Sequence, residues 1–178
     1  EPTVDLVIPV LNVEKKLSQT IMILSDFLRE NLPNNPWRIL IADNGSTDNT
    51  RSISEMLCQR YTGVTYLHLP QKGRGRALRT AWLQSDADIV CYMDVDLSTD
   101  LGSLPQLIHS IAWLGYDIAI GSRLMDQSLV KKRSLKREIT SRAYNLLIKL
   151  TFQTRFHDAQ CGFMALSRKA VHEIIPLV

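Results

Sequence analysis

The chain has 178 residues, 45% of them hydrophobic and 22% charged, with a formal net charge of +3. That is an ordinary globular composition with enough chain for one sizeable core, and it excludes a disordered or fibrous protein. No apolar run approaches the roughly eighteen residues of a membrane helix, no signal-peptide pattern opens the chain, and three cysteines (Cys58, Cys91, Cys161) without C-x-x-C spacing exclude a zinc ribbon or a disulfide framework.

A reducing, cytosolic setting fits those cysteines, and a single domain, 1–178, is expected. The chain begins at Glu1 and stops at Val178 just after a helical pattern, so a longer parent is expected, with any membrane-spanning region outside this stretch.

Strands and helices alternate along the chain. Residues 4–9 form an apolar, strand-like run, and Leu17, Ile21, Leu24 and Leu28 recur at helical spacing until Pro33 and Pro36. A second strand is predicted over 37–42. The stretch Asp43-Asn-Gly-Ser-Thr-Asp48 then has the turn and capping chemistry that starts a helix carried by Ile53 and Leu57. Residues 64–69 read as a third strand, Lys72-Gly-Arg-Gly-Arg76 as the opening of a helix, and 89–93 as a buried fourth strand. Leu104, Leu107, Ile108 and Ile111 mark a further helix, 116–120 a fifth strand, and 168–175 a last helix. The pattern predicts an α/β fold with a mainly parallel, Rossmann-like sheet flanked by helices.

Polar loops at the carboxyl ends of parallel strands make one crevice. Asp94 and Asp96 leave the fourth strand one residue apart, and alternation in an extended segment predicts that both face one hard cation, magnesium or manganese, holding a diphosphate. A solvated acidic turn is the plainer alternative. Asp43 follows the second strand, while Lys72 and Arg76 after the third and Arg123 after the fifth offer cations to phosphates. Residues 121–155 hold nine Lys or Arg against Asp126 and Glu138, so the positive charge is concentrated there. Within it, 129–156 reads as a basic amphipathic segment: Ile139, Ala143, Leu146, Leu147 and Leu150 at helical spacing, with Lys136, Arg137, Arg142 and Lys149 around them. A core helix with a solvated face has the same pattern. His68, His109, His157 and His172 show no metal-ligand spacing and carry no assigned role.

Pro9-Val-Leu-Asn12, Ala42-Asp43-Asn-Gly-Ser-Thr-Asp48, Asp94-Val-Asp96-Leu and Gly121-Ser-Arg123 together resemble the motif series of family-2 glycosyltransferases with the GT-A fold. Gly73-Arg-Gly-Arg76, the basic segment and Asp158-Ala-Gln-Cys161-Gly-Phe163 resemble the branch that glycosylates polyprenyl or dolichyl phosphate. The resemblance implies a nucleotide diphosphate sugar donor, UDP-glucose or GDP-mannose, and a divalent cation held by Asp96 with Asp94 in support. It places Pro9, Val10, Asn12, Glu14, Asp43, Asn44, Gly45, Lys72, Arg76, Asp94 and Val95 around the donor nucleotide, and Arg123, Lys132 and Arg137 on acceptor or phosphate. Two positions depart from the family pattern: Val13 follows Asn12 where an acid is usual, leaving Glu14 as the acid, and Asn44 stands where many members have Asp.

A lipid phosphate is already anionic and attacks without a general base, so the implied reaction is one in-line, inverting displacement with Asp96, Arg123 and Asp158 in the catalytic set. With an alcohol acceptor a base is required, and Asp158 is the candidate. The expected place of work is the cytoplasmic face of a membrane, with the membrane surface as partner and no nucleic acid. The competing readings are a glycosyltransferase acting on a saccharide hydroxyl and a non-catalytic nucleotide-binding module at a membrane surface.

Overall fold

A computed structural model describes residues 1–121 and 162–177. Six strands form one sheet in the order β3-β2-β1-β4-β6-β5. β1 (Val4–Val10), β2 (Trp37–Asn44), β3 (Val64–Leu69) and β4 (Ile89–Met93) are mutually parallel, in the places the apolar runs predict. α1 (Leu17–Asn31), α2 (Thr50–Arg60), α3 (Arg74–Leu83) and α4 (Leu104–Ala112) alternate with them, and α5 (Arg168–Ile174) closes the described chain.

Burial on both faces explains why the central strands read as near-continuous hydrophobic runs. All seven residues of β1 are buried. Leu6, Ile8, Ile39 and Ile41 pack under Leu17, Ile21, Leu24 and Leu28 of α1 and Leu104 and Ile108 of α4. Their neighbours Val7, Leu40 and Ala42 point the other way, against Ala77, Leu78, Ala81 and Trp82 of α3 and Val171 of α5. Period-two strands between helices of period 3.6 thus give a three-layer core.

β6 (Phe163–Ser167) is a strand that sequence patterning does not predict. It lies antiparallel between β4 and β5 (Ile118–Ile120), pairing Tyr92 with Met164 on one side and Ala119 with Ala165 on the other. β5 is therefore not the direct neighbour of β4. The sheet remains mainly parallel, and Gly121 at the end of β5 donates its N–H to the Phe163 carbonyl at 2.9 Å.

One buried charge sits at the amino end of the sheet. Asp5, 4% exposed, accepts from Arg38 Nε (3.0 Å) and Nη2 and from Ser85 Oγ (2.6 Å). A buried carboxylate stripped of its cation keeps its desolvation cost, so Arg38→Met is expected to lower unfolding free energy by about 3 kcal/mol, measured by urea denaturation.

Candidate functional site

The loops after β1 and β2 are laced together at the carboxyl edge. Asn12 adopts φ 53°, a left-handed conformation that Asn tolerates, which frees its side chain to work across the gap. Its N–H donates to Ser46 Oγ (2.9 Å) and its Oδ1 accepts from the Thr47 N–H (2.8 Å). Val13 N–H donates to Thr50 Oγ1 and Glu14 N–H to Asp48 Oδ2. The carboxylate of Glu14 accepts from both the N–H and the Nδ2 of Asn49, at 3.0 and 2.9 Å, and so braces the start of α2. Pro9 and Val10 are buried in β1 at its carboxyl end.

Asn44 explains its own departure from the family pattern. Its Nδ2 donates to the Val10 carbonyl at 2.7 Å, and its Oδ1 accepts from the Gly73 N–H at 3.2 Å, tying the loop before α3 to the sheet. The amide both gives and accepts there, which an ionised carboxylate, an acceptor only, cannot do. Asn44→Asp, which sets a carboxylate against a carbonyl in a 5%-exposed site, is expected to destabilise by about 2 kcal/mol, read as a fall in the denaturation midpoint. Gly45 at φ +85° has the Pro70 carbonyl 3.2 Å from where a Cβ would stand, so both backbone angle and space call for glycine. The Lys72 side chain packs over it, and Arg76 Nη1 donates to Gln71 Oε1.

Asp43 has no exposed surface. Its Oδ1 accepts from the Ser46 N–H at 2.9 Å, and its Oδ2 accepts from the Tyr66 hydroxyl at 2.7 Å and faces His68 Nδ1 at 3.3 Å. Burial pushes its carboxyl upward, but the hydrogen bonds from Ser46, Tyr66 and His68 outweigh burial and hold it below the ordinary carboxylate range. Tyr66 is raised, first by burial and then by Asp43, so it stays protonated as a donor.

The paired acids differ in geometry from the sequence expectation. β4 ends at Met93, and a tight turn follows in which the Leu97 N–H donates to the Asp94 carbonyl at 3.2 Å with Leu97 at φ 50°. Turn geometry, not the alternation of an extended strand, therefore disposes Asp94 and Asp96. A leucine in the left-handed region is strained, and the turn is held by Thr20 Oγ1 of α1 on the Val95 carbonyl at 2.8 Å. Asp96 is exposed and, among the described residues, accepts from the Ser98 N–H alone (3.0 Å). Asp100, the third acid of the stretch, is used locally, accepting from Gly102 N–H and Ser103 Oγ.

Asp94 is held on three sides. Tyr92 OH donates to its Oδ1 at 2.7 Å, Arg74 Nη1 lies 3.7 Å from the same oxygen, and a Cβ on Gly162 would fall 2.0 Å from Oδ2. Hard carboxylate oxygens suit magnesium or manganese. Among the described residues no group of three or more His, Cys, Asp or Glu gathers, so such an ion would take its remaining ligands from phosphate and water, as magnesium commonly does. Asp94 and Asp96 fit that role.

The structure thus places Asp43 and Asn44 at the carboxyl end of β2, and Asn12, Glu14, Gly45, Lys72, Arg76, Asp94, Val95 and Asp96 in the segments that follow β1 to β4. Arg123, Lys132, Arg137, Asp158 and the 129–156 segment lie outside the described residues. Tyr66, His68, Arg74, Tyr92 and Gly162 are participants that the sequence reading does not single out. Tyr66 and His68 are two apart on β3, and His68 is the register partner of Asp43, a signal recoverable only once β2 and β3 are aligned.

The sequence model of glycosyl transferase family 2 matches residues 5–175. A Haloferax volcanii protein, glycosyltransferase AglD, is 34% identical over 94% of this chain and 27% of its own length. The dolichyl-phosphate beta-glucosyltransferase of Saccharomyces cerevisiae is 26% identical over 96% of this chain and 56% of its own, so this chain spans about half or less of these relatives. Mycobacterium tuberculosis glucosyl-3-phosphoglycerate synthase, solved with Mn2+, UDP and glucosyl-3-phosphoglycerate, superposes with a TM-score of 0.63 at 21% identity, over 94% of this chain and 57% of that one. The fold is the GT-A fold that the motif series implies.

Proposed function

This chain belongs to glycosyl transferase family 2, and from that premise we propose that it transfers a hexose, with inversion, from a nucleotide diphosphate sugar to a polyprenyl or dolichyl phosphate. The observation that carries the proposal is the strained turn at the end of β4, which keeps Asp96 exposed and Asp94 braced beside the loops of β1 to β3. The likeness to a dolichyl-phosphate beta-glucosyltransferase supports the acceptor class. The solved complex with Mn2+ and UDP supports a metal-dependent donor site.

Asp96, with Asp94, would hold a magnesium or manganese ion, which supplies Lewis-acid stabilisation of the departing diphosphate. Arg74 is close enough to Asp94 to exchange that carboxylate for a phosphate oxygen when donor enters. Lys72 and Arg76 add positive charge around the start of α3. Arg123, Lys132 and Arg137 are assigned to acceptor or phosphate, and 129–156 to the membrane-facing side, at the cytoplasmic face of a membrane. No helix among the described residues is long and apolar enough to cross a bilayer.

The test is a panel of UDP-glucose, GDP-mannose and other nucleotide sugars against a short polyprenyl phosphate and against saccharide acceptors, with Mn2+ or Mg2+. Transfer to the lipid phosphate is expected. Transfer to saccharides alone overturns the acceptor and returns Asp158 to the role of base.

A further inference from the structure

Asp43, implied by the family resemblance to touch the donor nucleoside, is sealed from solvent. Its Oδ2 is occupied by Tyr66 OH at 2.7 Å and His68 Nδ1 at 3.3 Å, and its Oδ1 by the Ser46 amide. The most exposed ring of this cluster is His68, whose side chain is 34% exposed against 0% for Asp43, while Tyr66 is half-buried. Asp43 and His68 are register partners on adjacent parallel strands, so their side chains share one face at the carboxyl edge, where the nucleotide of an open α/β sheet collects.

A carboxylate only accepts hydrogen bonds, so the nitrogen facing Asp43 must carry the proton. In the neutral ring that fixes the tautomer: Nδ1 donates inward and Nε2 is left as an acceptor. Nε2 makes no hydrogen bond among the described residues.

We propose that His68 Nε2 reads the donor's nucleobase by accepting its imino N–H, with Asp43 and Tyr66 as positioning residues that hold the ring. Uracil offers N3–H and guanine N1–H. Cytosine presents a lone pair at N3, which would face the lone pair of Nε2 and be rejected. The acceptor function of the buried acid is in effect carried one residue outward. The inference rests on the donor-site reading above and refines it to bases that bear an imino proton.

Isothermal titration calorimetry in Mn2+ buffer with UDP, GDP, CDP and inorganic pyrophosphate tests it. Wild type is expected to bind UDP or GDP at least about tenfold more tightly than CDP, the size of one well-formed hydrogen bond set against an unpaired acceptor. His68→Ala should shrink that ratio to within about threefold while leaving pyrophosphate affinity unchanged. His68→Gln, whose amide oxygen can replace Nε2, should keep most of the discrimination. A ratio unmoved by His68→Ala, a wild type that holds CDP as tightly as UDP and GDP, or equal losses in the Ala and Gln variants overturns the assignment. If wild type binds neither pyrophosphate nor any of the nucleotides, the donor-site reading itself fails, and this inference with it.

Discussion

Asp96→Ala is expected to lower the transfer rate about 10³-fold while leaving the fold intact. The rate effect follows from removing the exposed carboxylate that would anchor the metal on the leaving diphosphate, a contribution of several kcal/mol to the transition state. The fold is spared because Asp96, among the described residues, accepts one hydrogen bond, from Ser98 N–H, and is exposed. A change at such a surface position usually stays within about 0.5 kcal/mol. The measurement is steady-state transfer at saturating Mn2+, paired with a thermal melt and a Mn2+ titration followed by electron paramagnetic resonance. Undiminished turnover of the variant in chelator-treated buffer would sink the metal-dependent reading.

Gly162→Ala should be nearly as damaging although it adds a single methyl group. The new Cβ would stand 2.0 Å from Asp94 Oδ2, 2.8 Å from its Cγ and 3.3 Å from the Tyr92 hydroxyl. Contacts that short force a displacement, and the carboxylate is the part least fixed by covalent structure. Asp94 would leave the Tyr92 hydroxyl and its approach to Arg74. Misplacing an active-site group by about 1 Å can cost about 10² in rate. A fall in kcat/KM of about a hundredfold is therefore expected, together with weakened Mn2+ binding in the same resonance titration. Wild-type kinetics and Mn2+ affinity in Gly162→Ala would show that Asp94 needs no fixed position.

The parallel half of the sheet was legible because β1, β2 and β4 are buried on both faces over most of their length and so carry near-continuous apolar runs. β6 was not, since its five residues, FMALS, form a short run whose burial does not alternate. Its place between β4 and β5 depends on pairings such as Cys91 with Ala165, far apart in the chain. At the site, the identities of Asp94 and Asp96 could be read, but their arrangement could not. Whether the chain stays extended after Met93 is decided by the strained Leu97 turn and by Thr20 on another element. Glu14 shows the same limit. Its place after Val13 marked it as a departure from the family pattern, while its partner, Asn49, is fixed only when two loops meet. His68 looked unemployed because its partner lies across the β2–β3 ladder.

The antiparallel strand between β4 and β5 also bears on how the chain can vary. Because β6 returns to the middle of the sheet, the long connection leading into it begins and ends on the same rigid edge, with Gly121 bonded to Phe163 at its two feet. Closing such a connection costs entropy that grows only with the logarithm of its length, about 0.6 kcal/mol for each doubling. The pairings of β1 with β2 and β4, and of β2 with β3, use no residue between those feet. The ladder that carries Asp43 and leads into the Asp94 turn is thus closed by its own pairings, whatever the length of chain between the two feet.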